Sequence, residues 1–254
     1  PEDVLREILI HEQSRDAADG VLATLAGDGR SEVRARAIRA LGRIQNPASL
    51  EIFSAALDDR DETVRLEAAF ALGQLGDVAA EMPLSKALAG EESPQVRERL
   101  VESLGKSGSD ASVEFLAGML ASPEAPLAHQ AAQSLGVMAA RSIDIAAAAT
   151  ALDEALRSKD AELRWRAAFA VQRGRVANTT IGLSRALREQ DAMTLIYAAR
   201  AVGALRSKPL SEKVLPLLKH EDWRVRVEAL RALAAGTNTL ATSQASLPLE
   251  DPSD

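Results

Sequence analysis

The sequence predicts an all-α fold, a right-handed α-solenoid of about seven helical hairpins. The first ground is a recurring phrase: valine-arginine, five or six small or apolar residues, then leucine-glycine. It reads Val33-Arg34 to Leu41-Gly42, Val64-Arg65 to Leu72-Gly73 and Val96-Arg97 to Leu104-Gly105. Weaker copies run from Leu127 to Leu135-Gly136, Leu163-Arg164 to Val171, Thr194 to Val202-Gly203 and Val225-Arg226 to Leu233, so successive anchors lie 31, 32, 31, 36, 31 and 31 residues apart. A period in that range marks a stacked array rather than one central core. The second ground is that each period holds two amphipathic helical patterns. The third is composition: 46% hydrophobic residues with only 3% aromatic suits a core of alanine and leucine.

The elements follow in chain order. Residues 1–15 read as one amphipathic helix, with Leu5, Ile8 and Leu9 on a stripe. It is an N-terminal cap or the remaining half of a truncated repeat. Residues 16–236 form the array. In the second repeat Asn46-Pro47 caps and starts a helix, and Leu50, Phe53 and Leu57 recur at helical spacing. After a charged break, Asp61 caps a second helix whose stripe is Val64, Ala68, Ala71, Leu72 and Leu75. Gly76-Asp77 ends it, because glycine takes the left-handed turn that closes helices. The apolar run from Ile143 to Leu152 falls where the first helix of the fifth repeat belongs. The longer spacing between Leu127 and Leu163 is the expected place for a change of curvature. Residues 237–254, rich in Ser, Thr, Pro and acids, bring too little apolar surface to offset ordering entropy, and are expected to be a mobile tail or linker.

The register assigns packing roles. Ala37, Ala68, Ala131, Ala167, Ala198 and Ala229 each lie four residues after an anchor and should face the neighbouring hairpin. The leucine of each Leu-Gly pair should fill the space between helices, and the glycine should permit either close packing or a helix end. Arg34, Arg65, Arg97, Arg164 and Arg226, just after the anchors, are expected to bond helix ends or acidic turns of a neighbouring repeat.

These residues resemble the HEAT-repeat superfamily, and specifically its short bacterial repeats related to those of phycobilisome lyases, over residues 16–236. The runs Ala40-Leu41-Gly42-Arg43-Ile44, Ala69 to Asp77 and Val101 to Lys106 are similar to a narrower group. That group is the HEAT region of bacterial chains that also carry a cyclophilin-type prolyl isomerase domain. The sequence holds no such domain, so that resemblance implies a fragment or a stand-alone relative.

Several functions are disfavoured. No apolar stretch is long enough to span a membrane, and the absence of cysteine excludes disulfides and thiolate metal sites. Residue 1 is proline, so the chain is expected to follow a cut. A signal peptide lost there would leave no trace, and the compartment, bacterial cytoplasm or beyond, stays open. Charge is uneven: residues 1–127 carry 13 Lys/Arg and 23 Asp/Glu, residues 128–254 carry 17 and 14. Such asymmetry can orient a polar partner, and it also serves solubility.

In HEAT-like arrays the second helices line the concave side, and positions two, three, six and ten after each anchor should point away from the packed stripe. Trp165, Phe169 and Tyr197 fall together there, bordered by Arg166, Arg173 and Arg200, with Phe70 and Arg231 on other helices. Aromatic residues with arginine are typical of binding hot spots. Phe70 and Phe169, in similar Ala-Ala-Phe-Ala contexts, also read as fillers between second helices.

Enzymatic readings find little. Deoxyhypusine hydroxylases are HEAT-like and bind iron through His-Glu pairs; His129-Gln130 matches their register but lacks the glutamate, and one histidine assembles no metal centre. No metal or cofactor is expected. With three histidines spread along the array, no serine-histidine-acid triad has a candidate. The reading is a non-catalytic scaffold that binds a peptide or protein on its concave surface. The alternatives are an accessory, substrate-binding segment of a larger bacterial enzyme of prolyl isomerase or phycobilin lyase type, and a HEAT-like DNA-binding protein, which net acidity disfavours.

Overall fold

A computed structural model of the chain describes residues 2–15 and 20–236. The tail expected from residue 237 onward lies outside them. Every regular element among the described residues is helical, as the periodicity predicts, and no helix there is long and apolar enough to cross a membrane. The helices fall into two compact units, dividing at Ser112 and Val113.

In the first unit a row of second helices, α3 (Ser31–Ile44), α5 (Glu62–Leu75) and α7 (Pro94–Ser107), packs in succession. The first helices α2 (Val21–Leu25), α4 (Leu50–Ala56) and α6 (Glu81–Gly90) each lie on the second helix that follows. The N-terminal helix α1 (Glu2–Ser14) packs on α3, the place a preceding second helix would take. The division falls within α8 (Ala111–Met119). In the second unit the row is α9 (Ala125–Ala140), α11 (Ala161–Gly174), α13 (Ala192–Leu205) and α15 (Trp223–Ala235). Its first helices are α10 (Ala149–Ala155), α12 (Thr180–Ala186) and α14 (Lys208–Val214), the last continued by a 3-10 helix over Leu215–Lys219.

Local chemistry sets the ends. The Asp61, Asp160 and Asp191 carboxylates each accept two backbone N–H bonds at the start of their helix, and Ser93 and Asp222 cap in the same place. Past the ends, Gln45, Gly76, Arg175 and Arg206 take the left-handed conformation. The alanines four residues after the anchors are fully buried.

The Leu-Gly glycines act by close approach, the first of their two expected roles, since α3 and α5 run on past Gly42 and Gly73. A Cβ on Gly42 would lie 2.7 Å from the Ala71 Cβ, and one on Gly73 would lie 2.5 Å from the Ser103 Oγ. That hydroxyl donates to the Ala69 carbonyl at 2.7 Å, across the same crossing. The longer spacing between Leu127 and Leu163 extends α9 to 16 residues, against 14 for α11 and α13, and adds a bend after it in which Ser142 has φ 68°. The bend delivers Ile145 into the core, where its side chain occupies the space beside Gly174.

Arg34, Arg65 and Arg164 of the arginine ladder have the structural role their register predicts. Arg34 is only 8% exposed. Its Nη1 donates to the Asp28 and Gly29 carbonyls, while Nε and Nη2 grip the Asp59 carboxylate, each at 2.8 Å. Arg65 repeats the arrangement with the Asp59 and Arg60 carbonyls and the Glu91 carboxylate. Arg164 donates to the Ser158 and Lys159 carbonyls and pairs with Glu189 at 3.6 Å. Each clamp ties its own preceding turn to the turn of the next repeat.

Hydrogen bonds from Arg34 hold the Asp59 carboxyl below its ordinary value of 3.8, and those from Arg65 hold Glu91 below 4.5. Both folded-state values are depressed, so both groups contribute stability above their ordinary values and lose it as pH falls through them. The melting temperature is therefore expected to drop as pH falls from about 5 toward 3. An Arg34→Met, Arg65→Met chain should show a shallower drop. Equal acid slopes for the two chains would refute this assignment.

Candidate peptide-binding face

The second-helix row of the second unit carries the aromatic cluster the sequence predicts. Trp165 and Tyr197 occupy equivalent turns of α11 and α13 and stack with ring centroids 5.5 Å apart and planes at 27°. Phe169, one turn after Trp165, meets Tyr197 edge-on at 5.9 Å. The Arg166 guanidinium lies 5.0 Å from the Trp165 ring and that of Arg200 lies 5.1 Å from the Tyr197 ring. Arg166 is also held by Glu162, at 2.6 Å. All three rings are half-buried, so each is anchored by packing and still presents a face to solvent.

Phe169 is a filler as well as a member of the cluster. Its ring lies so close over Gly136 that a Cβ there would approach Cε1 to 2.3 Å. Arg173 is exposed in the last turn of α11. Phe70 belongs to the first unit, half-buried on α5, where the Arg99 guanidinium lies 5.6 Å from its ring.

One expectation about this face is corrected. Not every residue at the assigned positions points to solvent: Glu67, Ile196 and Glu228 are buried, Glu228 only 7% exposed. The reason is a coupling between neighbouring helices. The side chain six residues after one anchor lies over the side chain three residues after the next. Arg39 covers Glu67 at 3.2 Å and Arg200 covers Glu228 at 2.9 Å. The Phe70–Arg99 and Phe169–Tyr197 contacts occupy the same relation.

Glu228 is gripped from both sides, since Arg231 also donates to it at 2.8 Å. Burial pushes the Glu228 carboxyl up, but the two guanidiniums outweigh it and hold the group below its ordinary value. In the first unit, burial raises the Glu67 carboxyl despite the arginines around it. A cavity of about 420 Å³ opens between α13 and α15, with Tyr197, Arg200, Glu228 and Arg231 on its walls. Met193 and Trp223 also line it, Trp223 with 55% of its surface exposed. Both precede their anchors, in the first turn of the helix, where a register counted forward from the anchor does not look. The available signal is the second of two tryptophans in a chain poor in aromatics.

His129, the residue that matched the iron enzymes, makes ordinary polar contacts: its Nε2 lies 2.7 Å from the Asp160 cap and its Nδ1 3.7 Å from Glu162. Among the described residues no group of histidines and acids is arranged to hold a metal.

Comparison with known proteins agrees with the fold. A family model described as HEAT repeats matches residues 5–65, 18–88, 51–136 and 81–172, together more than half of the chain. No curated protein sequence matches the chain. Among solved structures, the chain is similar to an engineered protein at 23% identity and TM-score 0.60, covering 89% of this chain and 71% of that one. It is similar to YibA of Escherichia coli at 17% identity and TM-score 0.62, covering 92% and 88%. The complex of CpcE and CpcF of phycocyanin lyase from Nostoc sp. PCC7120 matches at 18% identity over 91% and 88%, with a TM-score of 0.49. These likenesses concern the fold alone. The chain, by its repeats and its matched residues, belongs to the HEAT-repeat family.

Proposed function

We propose that this chain is a non-catalytic interaction scaffold that takes a peptide or protein segment on the second-helix face of its second unit. The observation that carries the reading is the half-exposed Trp165–Tyr197 stack with Arg166 and Arg200 laid against its rings. Rigid aromatic surface bordered by guanidinium donors gives a partner both apolar contact and hydrogen bonds, at low cost in side-chain entropy. No catalytic group is needed for that role.

The test is affinity capture from the source cell, identified by mass spectrometry, with the wild-type chain and with Trp165→Ala, Arg166→Ala. The double variant is expected to lose its specific partners while retaining a cooperative helical melt. Unchanged capture would place the binding face elsewhere.

A further inference from the structure

The groove between α13 and α15 holds two neighbouring cavities of unlike chemistry. The first, of about 420 Å³, has apolar walls of Met193, Ile196, Tyr197, Trp223 and Val227. Its volume is that of an ordinary ligand pocket, enough for a large side chain. The second, of about 430 Å³, is walled by Gly203, Ala204, Ala232 and Ala235, with Gln172 of α11 at its edge. Its walls are low because the helices approach closely there: a Cβ on Gly203 would lie 3.1 Å from the Ala232 Cα. Arg200, Glu228 and Arg231 belong to both cavities and form the step between them.

That step is positively charged. Arg200 and Arg231 donate to the same Glu228 oxygen, at 2.9 and 2.8 Å, so two guanidiniums share one buried carboxylate. Against the cost of burial, they hold that carboxyl below its ordinary value. It is therefore ionised at neutral pH, and the step keeps one cation in excess. The Arg231 side chain is 70% exposed, and a guanidinium has further N–H groups for a second acceptor.

The neighbouring acids lie at the helix starts. Asp191 and Asp222 accept bonds from the first N–H groups of α13 and α15, Asp222 also pairs with Arg224, and Glu162 holds Arg166. Beyond the first turns of α11, α13 and α15, Glu228 is their only acid. Arg173, in the last turn of α11, has no acid paired with it among the described residues.

We propose that this groove selects an acidic peptide segment. One apolar side chain enters the cavity beside Met193 and Trp223, and an aspartate or glutamate a few residues away lies on Arg200 and Arg231. Glu228 already holds both guanidiniums in place, so the incoming carboxylate gains charge-assisted bonds at little cost in ordering them. The inference rests on the reading of this face as a peptide-binding surface and adds the chemistry of the peptide. Groove and aromatic stack are continuous, because Tyr197 belongs to both. A nucleic acid fits the charge less well, since tracking its backbone needs an unbroken run of cations and the acids at the helix starts interrupt one.

The test pans the full chain against a phage-displayed library of short random peptides, then titrates the enriched peptides by fluorescence anisotropy. Enriched sequences should place Asp or Glu within a few residues of Trp, Phe, Leu or Met. Arg231→Gln and Trp223→Ala, both at exposed positions, should each weaken them about ten-fold. Arg185→Gln, which removes the same charge from a first helix, should leave the affinity unchanged. A basic or uncharged consensus, no consensus at all, or acidic peptides indifferent to Arg231→Gln would overturn the proposal. So would an oligothymidylate that competes for Arg231 and binds more tightly than the peptides. An uncharged consensus lost on Trp165→Ala, Arg166→Ala would sink this proposal and leave the peptide-binding face standing. Acidic peptides that need Arg231 but bind that double variant at full strength would support it and move the face away from the Trp165 stack.

Discussion

Gly42→Ala is expected to destabilise the first unit by about 1–3 kcal/mol, the range for forcing extra carbons into a packed core. The added Cβ would lie 2.7 Å from the Ala71 Cβ and 2.8 Å from its Cα. The backbone of α5 cannot rotate aside as a side chain can, so α3 and α5 must separate. Removing a helix-interior glycine gains only about 0.5–1 kcal/mol, and the clash wins. Gly118→Ala is the internal comparison: a Cβ there meets nothing within 4 Å, so the same propensity gain should raise stability. Thermal melts of the two variants check the pair, and equal signs would refute the close-approach role.

Arg34→Met is expected to cost about 3 kcal/mol, as removing one partner of a buried, hydrogen-bonded ion pair does. The loss is large because one guanidinium serves a carboxylate and two carbonyls that the fold has largely withdrawn from water. Lysine should restore only part of it, since an ammonium cannot grip Asp59 in two parallel bonds while reaching the Asp28 and Gly29 carbonyls. In denaturant titrations the methionine variant should unfold first, the lysine variant next and the wild type last. A lysine variant equal to wild type would show that charge alone suffices.

The fold is legible in the sequence because stacking imposes a repeated chemistry. The buried alanines, the close-approach glycines and the clamp arginines each recur at a fixed count from the anchor, and counting finds them. The aromatic cluster is legible for the same reason, with Trp165 and Tyr197 falling on adjacent helices by register. Illegible are features set by one helix acting on the next. The burial of Glu67 and Glu228 depends on Arg39 and Arg200 folding over them, which no position on a single helix reveals. Trp223 escapes the register because exposure at a helix start follows local geometry rather than the stripe. The double role of Phe169 emerges only with the glycine beneath it in view.

The clamps also give the array a polarity. Arg34, Arg65 and Arg164 are each rooted by two carbonyls in their own repeat and extend toward a carboxylate of the next. Trimming the repeat that holds Arg34 or Arg164 therefore frees Asp59 or Glu189, the more exposed partner of each pair. Trimming from the rear strands a desolvated cation. Shortened versions of this chain should accordingly tolerate loss of leading modules better than loss of trailing ones.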